Sequence, residues 1–457
     1  MARRMSWLST RGRDIVNEAG EPVLLKGYCL GGWLNTENFI NGYPFTDHAY
    51  FAALCEVLGG ARAQHYYERQ YEYYLQEADI ELLADCGTNC VRLPFNYRIF
   101  ESDLLPGEYC PAGFEYFDRL VKWCRKHGLY IILELHAAQG WQNPDWHCDN
   151  PDEVCLLWGD RHYRDRVAKL WRAIAERYKD EPTIAGYELL NEPTAPDNET
   201  LQGFYEEVTR KVRRVDRRHI IFLEGNMWGT RFKGLKPFAK NLVYACHIYP
   251  PAAFERRRPY PNAEQNAEAI ARAYQGYADF GRRQDVPMWC GEFGCQHNMT
   301  DPALRKGRLQ CVDDMIAIFE GHGHSWSMWT YKDMGVMGLV TVKGTAPYMR
   351  RTRAVRALKE QLGVDQWTAD HAAFARLIKP VVRKVQQACA KRVAPQEVDQ
   401  RLARSLRDAC GRLLLKPFAE QFEGMTKRQI DAVMKSWKLE NCRVNKGLVR
   451  ILKRHAA

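Results

Sequence analysis

Two glutamates stand in short, unlike surroundings, Glu192 in LNEP and Glu292 in GEFG, a hundred positions apart. Paired carboxyl groups can divide the work at one acetal carbon, such as that of a glycosidic bond. One donates a proton to the leaving oxygen while its ionised partner attacks. Surroundings must then split the two pKa values, raising the acid to about 6–7 through repulsion and desolvation. A separation of about 5–5.5 Å would retain anomeric configuration through a covalent intermediate. Arg92 in VRLPFN is placed to keep Glu292 ionised, and Tyr249 in HIY to donate a hydrogen bond to the same carboxylate.

Distant residues meet only if the fold gathers them. Eight strand candidates run through the chain: Val23–Leu30, Asn89–Phe95, Tyr130–His136, Ile184–Asn191, Ile220–Gly225, Leu242–Tyr249, Pro287–Phe293 and Ser325–Thr330. Helical patterns lie between them at Tyr73–Cys86, Phe114–His127, Arg161–Tyr178, Thr200–Arg213, Ala263–Arg282 and Leu304–Glu320, with a last one at Met349–Gln361. Runs such as LYIILELH and NLVYACHIY are apolar nearly throughout, which implies burial on both faces and a parallel sheet. Eight β-then-α units over this length predict a closed eight-stranded (β/α) TIM barrel rather than an open sheet. No GxGxxG follows the first strand, so a dinucleotide fold is not expected. Arg92, His136, Asn191-Glu192, His247, Tyr249, Glu292 and Trp329 all fall at carboxyl ends of these strands, the face on which such barrels keep their chemistry. The extra length after strand one (residues 31–72) and strand three (137–158) falls on the same face.

Of 457 residues, 46% are hydrophobic and 27% charged, which excludes general disorder. No apolar run reaches about 18 residues, so no membrane partner is expected. The opening stretch MARRMSWLSTRGRDIVNEAG carries no apolar core behind its basic residues. Fifteen scattered cysteines without CxxC pairs read as free thiols, and together these features suggest a cytoplasmic protein. The net charge of +10 is uneven: residues 365–457 hold 20 Lys+Arg against 9 Asp+Glu, leaving 46 and 47 for residues 1–364. The chain therefore divides near residue 365 into a barrel and a basic, all-helical tail of three to five amphipathic helices. Cations spread around the helices suit packing on the barrel or a homo-oligomer contact. Binding of an acidic polymer ranks behind that, and nucleic acid last, since no reading motif is present.

LNEP, GEFG, RLPFN, ELH, HIY and SMWTYK, in that setting, together resemble glycoside hydrolase family 5, the cellulase-type retaining glycosidases, over roughly residues 22–335. The resemblance implies Glu192 as acid/base and Glu292 as nucleophile. It implies Asn191 on the sugar 2-hydroxyl, His136 and His247 beside the −1 sugar, and Trp329 as its stacking floor. LGGWLNTENFI is similar to the first loop of exo-acting β-glucanases of that family, which implies that Glu37 binds the terminal sugar. LELHAAQGWQN resembles the DLHGAPGSQN segment of the same enzymes. The expected activity is retaining hydrolysis of β-glycosidic bonds, exo-acting on β-glucosides or short β-glucans. The alternatives are an endo-glucanase or mannanase, a furanosidase or pentosidase, and a carbohydrate-binding barrel without catalysis.

Trp33, Trp141, Trp146 and Trp228 are candidate walls for further sugars, with core packing an equal or better reading for each. His65, His147, His322 and His324 lack the spacing of a metal set, and displacement by a carboxylate needs neither metal nor cofactor. No GxSxG or GxxxxGK[ST] motif occurs.

Overall fold

A computed structural model describes residues 5–251, 258–364, 371–389 and 392–456. Eight parallel strands close into a barrel: β1 (Lys26–Cys29), β2 (Cys90–Asn96), β3 (Tyr130–Ala137), β4 (Ile184–Glu188), β5 (Ile220–Glu224), β6 (Leu242–Ile248), β7 (Met288–Phe293) and β8 (Ser325–Met328). Every residue of β2, β4, β5 and β7 is buried, so their runs show little alternation. β8 pairs with β1 through Trp326 and Lys26 and closes the ring.

The barrel interior is layered by the two-residue period of its strands. At the amino ends Cys90, Ile132, Phe222, Ala245 and Trp289 form an apolar plug with Leu8 and Ile15 of an amino-terminal hairpin. Two residues further along the same faces come Arg92, Glu134, Glu224 and His247, all buried. The apolar layer thus carries a charged one at the carboxyl ends.

The surrounding helices follow local signals. Pro111–His127 begins with a proline, ends at a left-handed Gly128, and buries Phe117, Leu120, Val121 and Cys124 along one stripe. The pattern read over Tyr73–Cys86 is two helices, Gly60–Tyr74 and Glu77–Asp85. A capping box between Gln76 and Asp79 starts the second. Met349–Gln361 likewise divides at Thr352 into Pro347–Arg351 and Arg353–Gln361.

The boundary expected near residue 365 falls at residues 365–370, outside the described residues. Beyond it, helices His371–Cys389, Pro395–Ala419, Lys427–Met434 and Lys446–Ala456 account for the amphipathic pattern. The tail also contains a strand that its sequence did not announce, Cys442–Val444, because three residues are too short to show a period. It pairs antiparallel with Val340–Val342. Tail side chains join the principal apolar core. Phe418 meets Tyr50 edge-on at 5.4 Å, Phe422 meets Tyr66 at 5.1 Å, and fully buried Trp437 lies 5.1 Å from Tyr74. Tyr50, Tyr66 and Tyr74 belong to the long first βα segment, which folds as helices Asp47–Leu58 and Gly60–Tyr74. Among the described residues no helix is long and apolar enough to cross a membrane.

Candidate active site

Two local departures from regular geometry aim the glutamates. On β7, Trp289 points into the barrel, and strict alternation would send Gly291 inward and Glu292 outward. The register against β6 slips between the Cys246–Cys290 and His247–Glu292 pairs, a bulge that turns Glu292 into the mouth. A Cβ on Gly291 would stand 3.1 Å from His247 Nε2 and 3.2 Å from Glu188 Oε1, so the smallest residue occupies the bulge. After β4, Glu192 adopts φ +45°, a conformation rare for a residue with a side chain and found most often at functional sites. Its N–H donates to Glu224 Oε2 at 2.8 Å, which helps to hold that turn.

The outcome is convergence. Carboxylate oxygens of Glu192 and Glu292 and a ring nitrogen of His247 all lie within 4.8 Å of one another. Arg92 Nη1 donates to Glu292 Oε1 at 2.6 Å, and the Tyr249 hydroxyl donates to Glu292 Oε2 at 2.8 Å. Burial works against the Glu292 charge, but His247 and Arg92, with His136 behind them, outweigh it and lower the group to about 2. His247 Nδ1 lies 2.8 Å from Glu192 Oε1, and its Nε2 lies 3.2 Å from Glu224 Oε1. Burial opposes its charge too, yet Glu224 and Glu292 raise it well above the usual imidazole range.

Arg92 organises the buried charge. Its Nε donates to Glu188 at 2.8 Å, and its Nη2 donates to Asn191 Oδ1 at 3.0 Å and to Glu224 at 3.2 Å. Desolvation raises Glu224 to about 8 despite His247, and raises Glu134 well above the carboxylate range. On the other flank, His136 joins Glu37 Oε1 at 3.1 Å to Glu134 Oε2 at 2.9 Å. Its ring stacks on Trp329 with centroids 5.3 Å apart and planes within 9°.

A cavity of about 380 Å³ opens over these groups. Glu37, His136, Glu192, His247, Tyr249, Glu292 and Trp329 line it, whereas Arg92 and Asn191 lie fully buried outside its lining. Of the candidate aromatic walls, Trp146 and Trp228 line the cavity. Trp33 does not: it is buried, with its indole N–H donating to the Tyr71 carbonyl at 2.8 Å. Trp141 is half-buried and also outside the lining. A larger cavity of about 640 Å³, beside Tyr67 and Tyr109, contains neither glutamate.

Two carboxyl groups this close can serve one glycosidic bond, one attacking the anomeric carbon while the other protonates the leaving oxygen. The profile described as Cellulase (glycosyl hydrolase family 5) matches residues 55–335. The chain belongs to glycoside hydrolase family 5. This family 5 glycosidase is 36% identical to a beta-xylosidase of Phanerodontia chrysosporium, over 99% of both chains. It is 27% identical to Endoglucanase C of Acetivibrio thermocellus, over 61% of this chain and 90% of that one. A probable glucan 1,3-beta-glucosidase A of Aspergillus terreus is 28% identical over 58% and 64%. Among solved structures, an endoglucanase of Thermotoga maritima shares the fold, with a TM-score of 0.53, 19% identity and coverage of 69% and 91%.

Sequence reasoning on this family 5 enzyme passed over several groups. Glu134 within β3, and Glu188 and Glu224 at the ends of β4 and β5, were visible as acids in the strand runs. Asp145 and Arg404 carried no comparable signal, since each sits on a segment whose path only the fold reveals. His147, weighed as a metal ligand, stands in the cavity with Nε2 3.3 Å from Glu192 Oε2. Asp145 and Glu192 outweigh its burial and raise it to about 9. The other three histidines lie outside that lining: His65 meets Asp431 at 2.8 Å, and His322 stacks on His324.

Proposed function

We propose that this enzyme is a retaining exo-β-glycosidase that removes the terminal sugar of β-linked oligosaccharides or glycosides, β-xylosides first and β-glucosides next. One observation carries the reading: Glu192 and Glu292 offer oxygens within 4.8 Å of each other, near the retaining separation of about 5–5.5 Å and short of the inverting range of about 6.5–9.5 Å. Glu292, kept ionised by His247 and Arg92, is the nucleophile. Its oxygen bonds to the anomeric carbon as the glycosidic C–O bond breaks, and Glu192 gives its proton to the leaving oxygen. In the second half Glu192 takes a proton from water while the water oxygen attacks the same carbon. The ester bond to Glu292 breaks, and both carboxyl groups return to their first state.

Exo action is supported by the depth at which Glu37 sits, its side chain only 3% exposed behind His136, where the end of a substrate chain would stop. The beta-xylosidase match running through the tail supports the same choice and puts xylose ahead of glucose. Endo cleavage, the second reading, is favoured by the endoglucanase relatives.

The test is an NMR time course with β-xylobiose, cellobiose and the matching aryl glycosides. Single sugars released first as the β-anomer are expected, and Glu292→Gln should abolish turnover. First appearance of the α-anomer, or full activity in Glu292→Gln, would overturn the mechanism. A ladder of internal fragments from longer chains would overturn exo action.

A further inference from the structure

We infer that Arg404, on the tail helix Pro395–Ala419, is a specificity-determining residue of the active-site cavity that meets the departing sugar. The inference rests on the assignment of Glu192 as proton donor and of the Glu37 end as the terminal-sugar end. The tail, remote in sequence from both glutamates, reaches the cavity through Arg404, which lines it with Asp145, Trp228 and Thr230.

Arg404 Nη2 lies 3.1 Å from Asp145 Oδ1. Asp145 Oδ2 accepts from the Trp228 indole N–H at 2.7 Å and lies 3.9 Å from His147 Nε2. His147 in turn stands beside Glu192. The guanidinium therefore belongs to the shell around the proposed acid, and an acid must stand next to the oxygen that leaves. Exposure supplies the direction. The Glu37 side chain is 3% exposed, that of Glu192 14% and that of Arg404 34%, so the path from terminal sugar to leaving group runs from floor to rim.

The helix is fixed where it can do this. Ser405 donates to Glu153 Oε1 at 3.0 Å and Arg412 lies 2.9 Å from Asp152, both on the loop after β3. Exposed pairs like these add little stability. The buried Phe418 and Phe422 further along the chain hold the tail against the first βα segment. A neutral sugar offers hydroxyls, and a planar guanidinium with five N–H donors suits them once Asp145 has fixed its plane. An aryl leaving group offers no such hydroxyls.

The experiment compares wild type, Arg404→Ala and Arg404→Lys on β-xylobiose against 4-nitrophenyl β-xyloside, and on cellobiose against 4-nitrophenyl β-glucoside. The readout is the ratio of kcat/KM within each pair. Arg404→Ala should lower the disaccharide-to-aryl ratio about tenfold, the scale of one hydrogen bond to a charged donor. Arg404→Lys should fall between that variant and wild type. A ratio unchanged in both variants, even with equal losses on both substrates or a lower Tm, overturns the inference and leaves Arg404 a docking contact. If Arg404→Ala does not fold, Arg404→Lys decides alone: a lowered ratio supports the role and an unchanged one overturns it. Failure of the underlying Glu192 assignment appears elsewhere, as an equal loss on every leaving group in Glu192→Ala.

Discussion

Arg92 and Glu292, 200 residues apart, meet through a 2.6 Å hydrogen bond from Nη1 to Oε1, and the same guanidinium touches Glu188, Glu224 and Asn191. One rigid fork thus sets both the position and the charge of the proposed nucleophile. Lysine would keep the cation but has no fork with which to serve several acceptors at once. Arg92→Lys is expected to lower kcat by about 10²-fold, comparable to loss of one preorganised donor. Glu292 should rise from about 2 toward the ordinary carboxylate value, so the acid limb of kcat/KM against pH should move upward. A pH–rate profile with an unmoved acid limb would show that the positive charge alone, and not the hydrogen bond from the guanidinium fork, holds Glu292 ionised.

Gly291 offers a test of the bulge. A methyl group there would meet His247 Nε2, Glu188 Oε1 and Trp289 Nε1 at 3.1–3.2 Å, tighter than side chains normally pack. Gly291→Ala should cost about 1–3 kcal/mol of stability through overpacking. It should also lower kcat, because His247 bears on both glutamates. Thermal unfolding together with kinetics checks this, and full stability with full activity would show that the interior yields more readily than argued.

Much of this arrangement was legible in the sequence because it follows from strand burial. Apolar runs such as LYIILELH announce strands covered on both faces, and residues at their ends, like Glu292 and His136, must then share one mouth. The aim of the two glutamates was not legible. It depends on a one-residue bulge at Gly291 and a positive φ at Glu192, and neither alters the spacing of apolar residues. For Trp33, core packing is an equal or better reading than a sugar wall, and the fold buries it. The tail showed its helices, but which cation would reach the cavity depends on how Phe418 and Trp437 dock, and no local pattern encodes that.

His147 gives a stability test with a defined sign. Its charged form is favoured in the folded protein, being raised from the usual 6.5 to about 9. The stabilisation it supplies is therefore complete below about pH 6.5 and is lost as pH rises through 9. His147→Gln should lower Tm most at pH 6, and the gap to wild type should close between pH 6.5 and 10. A gap that stays constant over that range would mean that His147 acts by shape alone.

Glu192 can be separated from Glu292 by the leaving group. Removal of the acid leaves attack by Glu292 intact but makes departure depend on the leaving group's own stability. Glu192→Ala should slow β-xylobiose or cellobiose by about 10²–10⁴-fold, while glycosides of acidic phenols, which leave without a proton, suffer far less in the first step. The covalent intermediate then lacks the base that activates water and accumulates. Azide needs no such base and fits the space the carboxylate vacates. Its terminal nitrogen attacks the anomeric carbon, the ester to Glu292 breaks, and a β-glycosyl azide forms. Rate recovery with that product is the expected result. Equal loss on every leaving group, with no azide adduct, would remove Glu192 from proton transfer and leave it as a partner of His247 and His147.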